Sequence, residues 1–136
     1  MNKGILLCVD DEAIMLVALK DQLRKAYGNR FIIEVAESAE EGLEILDELV
    51  SQGNYLLVII SDWLMPGMKG DQLLIEVHRR FPQAAKVMLS GQVDQQAVDR
   101  VRRQAGLQAF IAKPCDGDKL IACISEALNE VGHPIT

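Results

Sequence analysis

In four places along this 136-residue chain, a run of apolar residues stops at a group able to carry charge or donate a proton. Residues 5–9 run into Asp10, Asp11 and Glu12; residues 56–60, after Ser61, into Asp62; residues 86–89 into Ser90 and Gly91; residues 109–112 into Lys113 and Pro114. Taken singly, each has an ordinary reading. Asp10 and Asp11 suit a helix N-cap and first turn, at the positive end of the helix dipole. Asp62 suits a turn, Ser90 a loop and Lys113 the surface. Taken as a set they have a coherent chemistry. Three carboxylates held close repel one another and are pushed toward their protonated forms, and a hard divalent cation relieves that repulsion. A site with few protein ligands and room for phosphate oxygens suits Mg²⁺ better than Ca²⁺ or Zn²⁺. One carboxylate can also serve as a nucleophile and form an aspartyl phosphate. The Lys113 ammonium and the Ser90 hydroxyl would then meet the charge on the transferring group.

Such a set must be gathered by secondary structure. The apolar runs 5–9, 31–35, 56–60, 86–89 and 109–112 read as strands. Run 56–60 is uninterrupted and rich in β-branched residues, as in a strand covered on both faces. Run 31–35 is broken by Glu34, which suits an edge strand. Between the runs the period becomes helical: Leu16, Leu19, Leu23 and Tyr27; then Leu43, Leu46 and Val50, led by a capping-box pattern at Ser38 and Glu41; then Leu73 or Leu74, Val77 and Phe81; then Ala97, Val101 and Ala105; then Leu120, Ile124, Leu128 and Val131. Strict alternation of strand and helix predicts a parallel sheet with helices on both faces and right-handed crossovers. In such sheets ligands bind beyond the carboxyl ends of the strands, where all four groups stand.

The bulk numbers narrow the function. Net charge is −6, with 49% hydrophobic and 25% charged residues. An acidic domain of this kind argues against direct nucleic-acid binding. No apolar run approaches the roughly 20 residues of a membrane span, and the start of the chain lacks a signal peptide's cleavage site. Cys8, Cys115 and Cys123 form no metal or disulfide motif and read as reduced thiols of a cytoplasmic protein.

The motifs VDDE at 9–12, SDWLMPGMKG at 61–70, LSG at 89–91 and KP at 113–114, in this order, resemble the receiver domain of two-component response regulators. The resemblance runs from about residue 3 to about residue 131. It implies an α/β fold: a doubly wound (βα)5 five-stranded parallel sheet in the flavodoxin-like, CheY-like order 2-1-3-4-5. It further implies a receiver unit over 1–131, with 132–136 a tail or the start of a linker. Asp62 matches the phosphoacceptor. Asp11, Asp62 and the Leu64 carbonyl match direct Mg²⁺ ligands, and Asp10 one acting largely through water. Lys113 matches the phosphate-binding lysine and Ser90 the hydroxyl that turns toward the phosphoryl group. Phe110 matches the aromatic switch position, and Lys113–Pro114 a peptide bond usually cis. The implied partners are a sensor histidine kinase or phosphotransfer protein upstream and an output domain or protein downstream. The implied location is cytoplasmic. The Met65-Pro66-Gly67-Met68 turn is expected to bring the Leu64 carbonyl toward the metal, and Gly70 to take a strained backbone angle before the third helix.

Some positions depart from the family pattern. Cys115 stands where Phe is frequent. Gly106-Leu107-Gln108-Ala109 replaces an acidic segment, which argues against the salt-bridged dimer of one subfamily. Leu64 and Gln92 occupy positions that tune loss of the phosphoryl group, apolar Leu64 hindering water and Gln92 able to orient it. His78, Arg79, Arg80, Arg100, Arg102 and Arg103 read as solvated helix faces ahead of partner surfaces. Two other functions remain open: a degenerate receiver that binds partners without phosphorylation, and an aspartyl-nucleophile phosphatase of the haloacid-dehalogenase kind. Cognate kinase, target, phosphoryl lifetime and oligomeric state are not legible.

Overall fold

The computed structural model describes residues 2–91 and 94–132. The chain alternates as expected: β1 (Gly4–Val9), α1 (Ala13–Tyr27), β2 (Ile32–Ala36), α2 (Ala39–Ser51), β3 (Tyr55–Ser61), α3 (Gly70–Arg80), β4 (Ala85–Ser90), α4 (Gln95–Ala105), β5 (Ala109–Ala112) and α5 (Gly117–Glu130). All five strands are parallel, in the order β2-β1-β3-β4-β5. The second strand begins and ends one residue later than its apolar run, and the third extends one residue further at each end.

Successive side chains of a strand point to opposite faces, so one apolar strand feeds two cores. In β1, Ile5, Leu7 and Val9 face a core completed by α2, α3 and α4. Leu6 and Cys8 face the other, closed by Leu16, Leu19, Leu23 and Tyr27 of α1 and Leu120, Ile124 and Leu128 of α5. Those helical residues are the stripes expected from the sequence. Every residue of β1 and β4 is buried, whereas the edge strands β2 and β5 are partly open, and Glu34 is accommodated on β2 for that reason.

The helix starts are fixed locally. Ser38 caps α2 by accepting from the Glu41 amide, but the Glu41 carboxylate accepts from Glu37 rather than from Ser38, so only half of the expected capping box forms. Asp94 caps α4 and Asp116 caps α5. The order of the strands puts the ends of β1 and β3, β3 and β4, and β4 and β5 side by side, and the functional residues stand there.

Candidate functional site

The sheet's hydrogen bonding runs one residue past its strands and thereby aims the site. The Asp10 amide donates to Ala36 at 3.1 Å, the Asp62 amide to Val9 at 2.9 Å and the Lys113 amide to Ser90 at 2.9 Å. Asp10, Asp62 and Ser90 are buried, whereas Asp11 is exposed. Carboxylate oxygens of Asp10, Asp11 and Asp62 lie within 4.8 Å of one another. An open cavity of about 430 Å³ is lined by Asp11, Glu12, Asp62, Leu64, Ser90, Gly91 and Lys113. Asp10 stands behind it. The structure thus brings together Asp10, Asp11, Glu12, Asp62, Ser90, Gly91 and Lys113 from the strand ends, while Pro114 borders a different cavity.

Lys113 is the electrostatic centre. Its ammonium donates to Asp10 at 2.6 Å and reaches Asp62 at 3.6 Å and Glu12 at 3.5 Å. Burial alone would pull this lysine down. The hydrogen bond and charge of Asp10, with the charges of Asp62 and Glu12, outweigh burial and hold it above its ordinary range. Glu12, which the sequence offered only as a strand-end acid, is therefore part of the lysine's surroundings.

Asp62 is under opposing influences. Burial raises its carboxyl, the Lys113 charge lowers it and the Asp10 charge raises it again; hydrogen bonds from Ser90 and from the Trp63 amide favour the anion. The net result is a carboxyl above the usual carboxylate range. One oxygen of Asp62 accepts from the Trp63 amide at 2.8 Å, while the other faces Lys113. Both oxygens of Asp10 are engaged, one by Lys113 and one by the Glu12 amide at 2.9 Å. Asp11 and Glu12 are the exposed carboxylates on the cavity.

The chain bends at Pro66, Gly67 and Met68 after Asp62, and one expectation there is corrected. The backbone angle that favours glycine is at Gly67, where φ is 81°, and not at Gly70. Gly70 is required by close approach: a Cβ there would lie 1.9 Å from the Asp62 carbonyl oxygen. Its amide donates to the Trp63 carbonyl at 2.8 Å, so the first turn of α3 rests directly on the phosphoacceptor candidate's own peptide. Met65 is buried in the core and anchors the turn. The Lys113–Pro114 bond is cis, as the resemblance implied. Phe110 is half-buried on β5, packed on the core and bordering a second cavity with Pro114, Cys115 and Cys123. Gln92 lies outside the described residues.

Two further polar clusters went unread in the sequence. Asp71 is buried, and its carboxylate is ion-paired to Arg100 of α4, so Arg100 is not simply part of a solvated face. Lys86 is 1% exposed. Its ammonium meets His78 Nδ1 at 2.7 Å and the Pro82 carbonyl at 3.1 Å, so His78 is not purely solvent-facing either. Arg79 and Arg80 do lie outward, paired with Glu76 and, for Arg80, with Asp47.

A family model described as the response regulator receiver domain matches residues 6–125. Chemotaxis protein CheY of Bacillus subtilis is 34% identical over 125 residues, covering 91% of this chain and 97% of that protein. The hydrogenase transcriptional regulatory protein HoxA of Cupriavidus necator is 31% identical over 132 residues, covering 96% of this chain but 25% of that protein. The chain therefore spans about a quarter of HoxA and nearly all of CheY. Among solved structures, a CheY-like response regulator receiver domain protein from Methanospirillum hungatei JF-1 superposes with a TM-score of 0.82 at 29% identity, over 96% of this chain and 97% of that one.

Proposed function

Because this chain belongs to the response regulator receiver domain family of two-component signalling, we propose that it is a switch phosphorylated on Asp62, with Mg²⁺, by a phosphohistidine of a sensor kinase or phosphotransfer protein. One observation carries this reading: the Asp62 carboxylate shares a 4.8 Å cluster with Asp10 and Asp11 and faces the Lys113 ammonium at 3.6 Å.

The donor set suits the ion. Receiver domains bind Mg²⁺ at an acidic pocket, and three carboxylates beside a polar cavity form one here. Asp11 and Asp62, with the Leu64 carbonyl, would hold it directly; Asp10, both of whose oxygens already accept hydrogen bonds, would act through water. When bound, the ion neutralises carboxylate charge and the charge gathering on the phosphoryl oxygens.

In the transfer, an Asp62 oxygen forms a bond to phosphorus as the P–N bond of the donor breaks. The bonding pair returns to the donor imidazole, whose other ring nitrogen carries the proton. Lys113, already cationic and held by Asp10 and Glu12, is placed to take a phosphoryl oxygen. Ser90, which hydrogen-bonds Asp62 before transfer, can turn to another. The added charge of about −1.5 to −2 draws these donors inward. Phe110, half-buried on the edge strand β5 and in register with Met88 of β4, would follow Ser90 and change the α4-β5-α5 face. That face would control an output domain or protein. Ile14 and Val17, 87% and 71% exposed on α1, lie just beyond Glu12 and offer an apolar surface on which a phosphodonor can pack. The receiver unit would be residues 1–131, its place the cytoplasm, in keeping with three free thiols.

The test uses acetyl phosphate as donor. The wild-type protein with Mg²⁺ should gain one acid-labile phosphoryl group by intact mass, and Asp62→Asn should gain none. A wild-type protein that takes up no phosphoryl group from acetyl phosphate or from any histidine kinase would falsify the proposal.

A further inference from the structure

Asp62 is gripped from two sides. On its backbone side it carries the start of α3, through the contact with Gly70 and the Gly70–Trp63 hydrogen bond. On its carboxylate side it is met by Ser90 from the end of β4. Asp71, the residue after Gly70, is 4% exposed. Its Oδ2 accepts from the Arg100 guanidinium of α4. This ion pair ties α4 to the first turn of α3, the turn that rests on the Asp62 peptide.

The tie is polar where a helix contact is normally apolar. A buried carboxylate is tolerated because a cation pairs with it, and removing that partner strands a buried charge. Asp71 Oδ1 has no hydrogen-bond partner among the described residues, and neither has the Trp63 indole Nε1. Both residues border, with Arg100, Lys69 and Asp94, a cavity of about 400 Å³ between α3 and α4. The Arg100 bond is thus the polar tie that holds Asp71 among the described residues.

We propose that Asp71 and Arg100 are a positioning pair for phosphoryl transfer at Asp62, an inference that rests on Asp62 being the phosphoacceptor. Neither touches the reacting atoms. They fix α4 against the first turn of α3, which rests on the Asp62 peptide, and so set how that peptide presents its carboxylate to the phosphoryl donor. Coupling of this kind is reciprocal, so the phosphoryl group in turn alters how firmly α4 is held.

The experiment compares wild type, Arg100→Gln, Arg100→Lys and the double variant Asp71→Asn/Arg100→Gln. The double variant leaves no unpaired buried charge and stays usable if Arg100→Gln fails to fold. Two quantities are read: the rate of phosphoryl uptake from acetyl phosphate at saturating Mg²⁺, and the Mg²⁺ dissociation constant from Trp63 fluorescence with the metal alone. Arg100→Gln and the double variant should take up phosphoryl about tenfold more slowly, part of the ~10²-fold that a 1 Å misplacement can cost. Mg²⁺ affinity should stay within about twofold, since each metal candidate keeps its place. Arg100→Lys, which keeps the charge, should recover most of the rate. Uptake in the folded double variant equal to wild type overturns the inference. So does a slowing matched by an equal loss of Mg²⁺ affinity, or one that Arg100→Lys does not relieve, since either marks general disturbance of the fold. A wild-type protein that is itself inert toward acetyl phosphate and kinases fails at Asp62 instead, a different outcome from the other three.

Discussion

Replacing Lys86 with methionine should stabilise this protein near neutral pH, and the effect should fade in alkali. Lys86 is 1% exposed in β4, paired in register with Ile59. Its neighbours are a histidine nitrogen and a backbone carbonyl, and none of its described ion pairs is with a carboxylate. Burial pulls its ammonium from 10.5 down to about 8, a gap worth about 3 kcal/mol against folding when both states are protonated. The sign follows from proton counts. Below pH 8 the native and unfolded chains both hold the proton, and the full cost is present. Between pH 8 and 10.5 the unfolded chain keeps a proton that the native one has released, so stability climbs with pH. His78, which donates nothing to Lys86 and accepts through Nδ1, is lowered by burial and by the Lys86 charge; its share of stability is lost as pH falls below 6.5. Methionine fills nearly the same volume without charge, but leaves the Pro82 carbonyl without its donor, a loss of about 1–3 kcal/mol. The expected net gain is about 1 kcal/mol at pH 7. Urea unfolding of both proteins at pH 7 and 9.5 reads this directly. The wild type should gain about 2 kcal/mol more than Lys86→Met over that interval. A difference between the two that does not change with pH would refute the reasoning.

Gly70→Ala forces a Cβ into the Asp62 carbonyl, 1.9 Å away in the ideal position. It should cost about 3 kcal/mol or more by denaturant unfolding, and an alanine variant as stable as wild type would remove the close-approach account. Burial and the Asp10 charge hold the Asp62 carboxyl high, so its anion opposes folding at neutral pH. Asp62→Asn should therefore raise the melting temperature of the metal-free protein while weakening Mg²⁺ binding; a lowered melting temperature contradicts this. Because that carboxyl is held above the ordinary aspartate range by burial, Mg²⁺ affinity measured by Trp63 fluorescence should begin to fall at a higher pH than it would for a site of exposed aspartates, and a decline that begins only at ordinary aspartate pH would contradict this. Leu64→Asn, on the lining of the cavity, should shorten the phosphoryl lifetime by admitting and orienting water. An unchanged half-life rejects that role for Leu64.

The strand ends were readable because the signal there is local. An apolar run followed by a charged residue states both the strand and its terminus, and parallel order does the rest. Asp10, Asp62, Ser90 and Lys113 needed no knowledge of side-chain packing to be placed together. The Asp71–Arg100 pair is different. An aspartate in the first turn of a helix has a sufficient explanation in the helix dipole, and Arg100 belongs to an arginine-rich stretch that looks solvated. The trace of its burial was positional: Asp71, Leu74 and His78 fall on one helical face, so the aspartate sits on the stripe that turns inward. Lys86 was hidden for another reason. Its aliphatic stem satisfies an apolar run as well as leucine does, and where its ammonium goes depends on the α3–β4 corner, which no pattern in β4 describes. The strain expected at Gly70 shows the same limit. The sequence marks where glycine is needed, but only the contact with the Asp62 carbonyl says why.

The same geometry weighs against the two competing functions. A phosphatase of the haloacid-dehalogenase kind places its nucleophile on the first strand with a second acid two residues on. Here the residue just past the first strand is Asp10, which is buried, held by Lys113 and the Glu12 amide, and absent from the lining of the cavity. The carboxylate oxygen that faces the lysine across 3.6 Å belongs instead to Asp62, at the end of the third strand. A receiver that had abandoned phosphorylation would be expected to relieve the repulsion among its acids, since carboxylates within 4.8 Å of one another repel. This chain keeps all three, holds Lys113 among them with Glu12, and leaves the Asp62 carboxyl above its ordinary range. Metal-free protein should accordingly be less stable than Mg²⁺-loaded protein, by an amount that grows with the logarithm of the ion concentration above its dissociation constant. A melting temperature indifferent to Mg²⁺ would mean that the acids are not held together for a metal, and the degenerate reading would then gain the better claim.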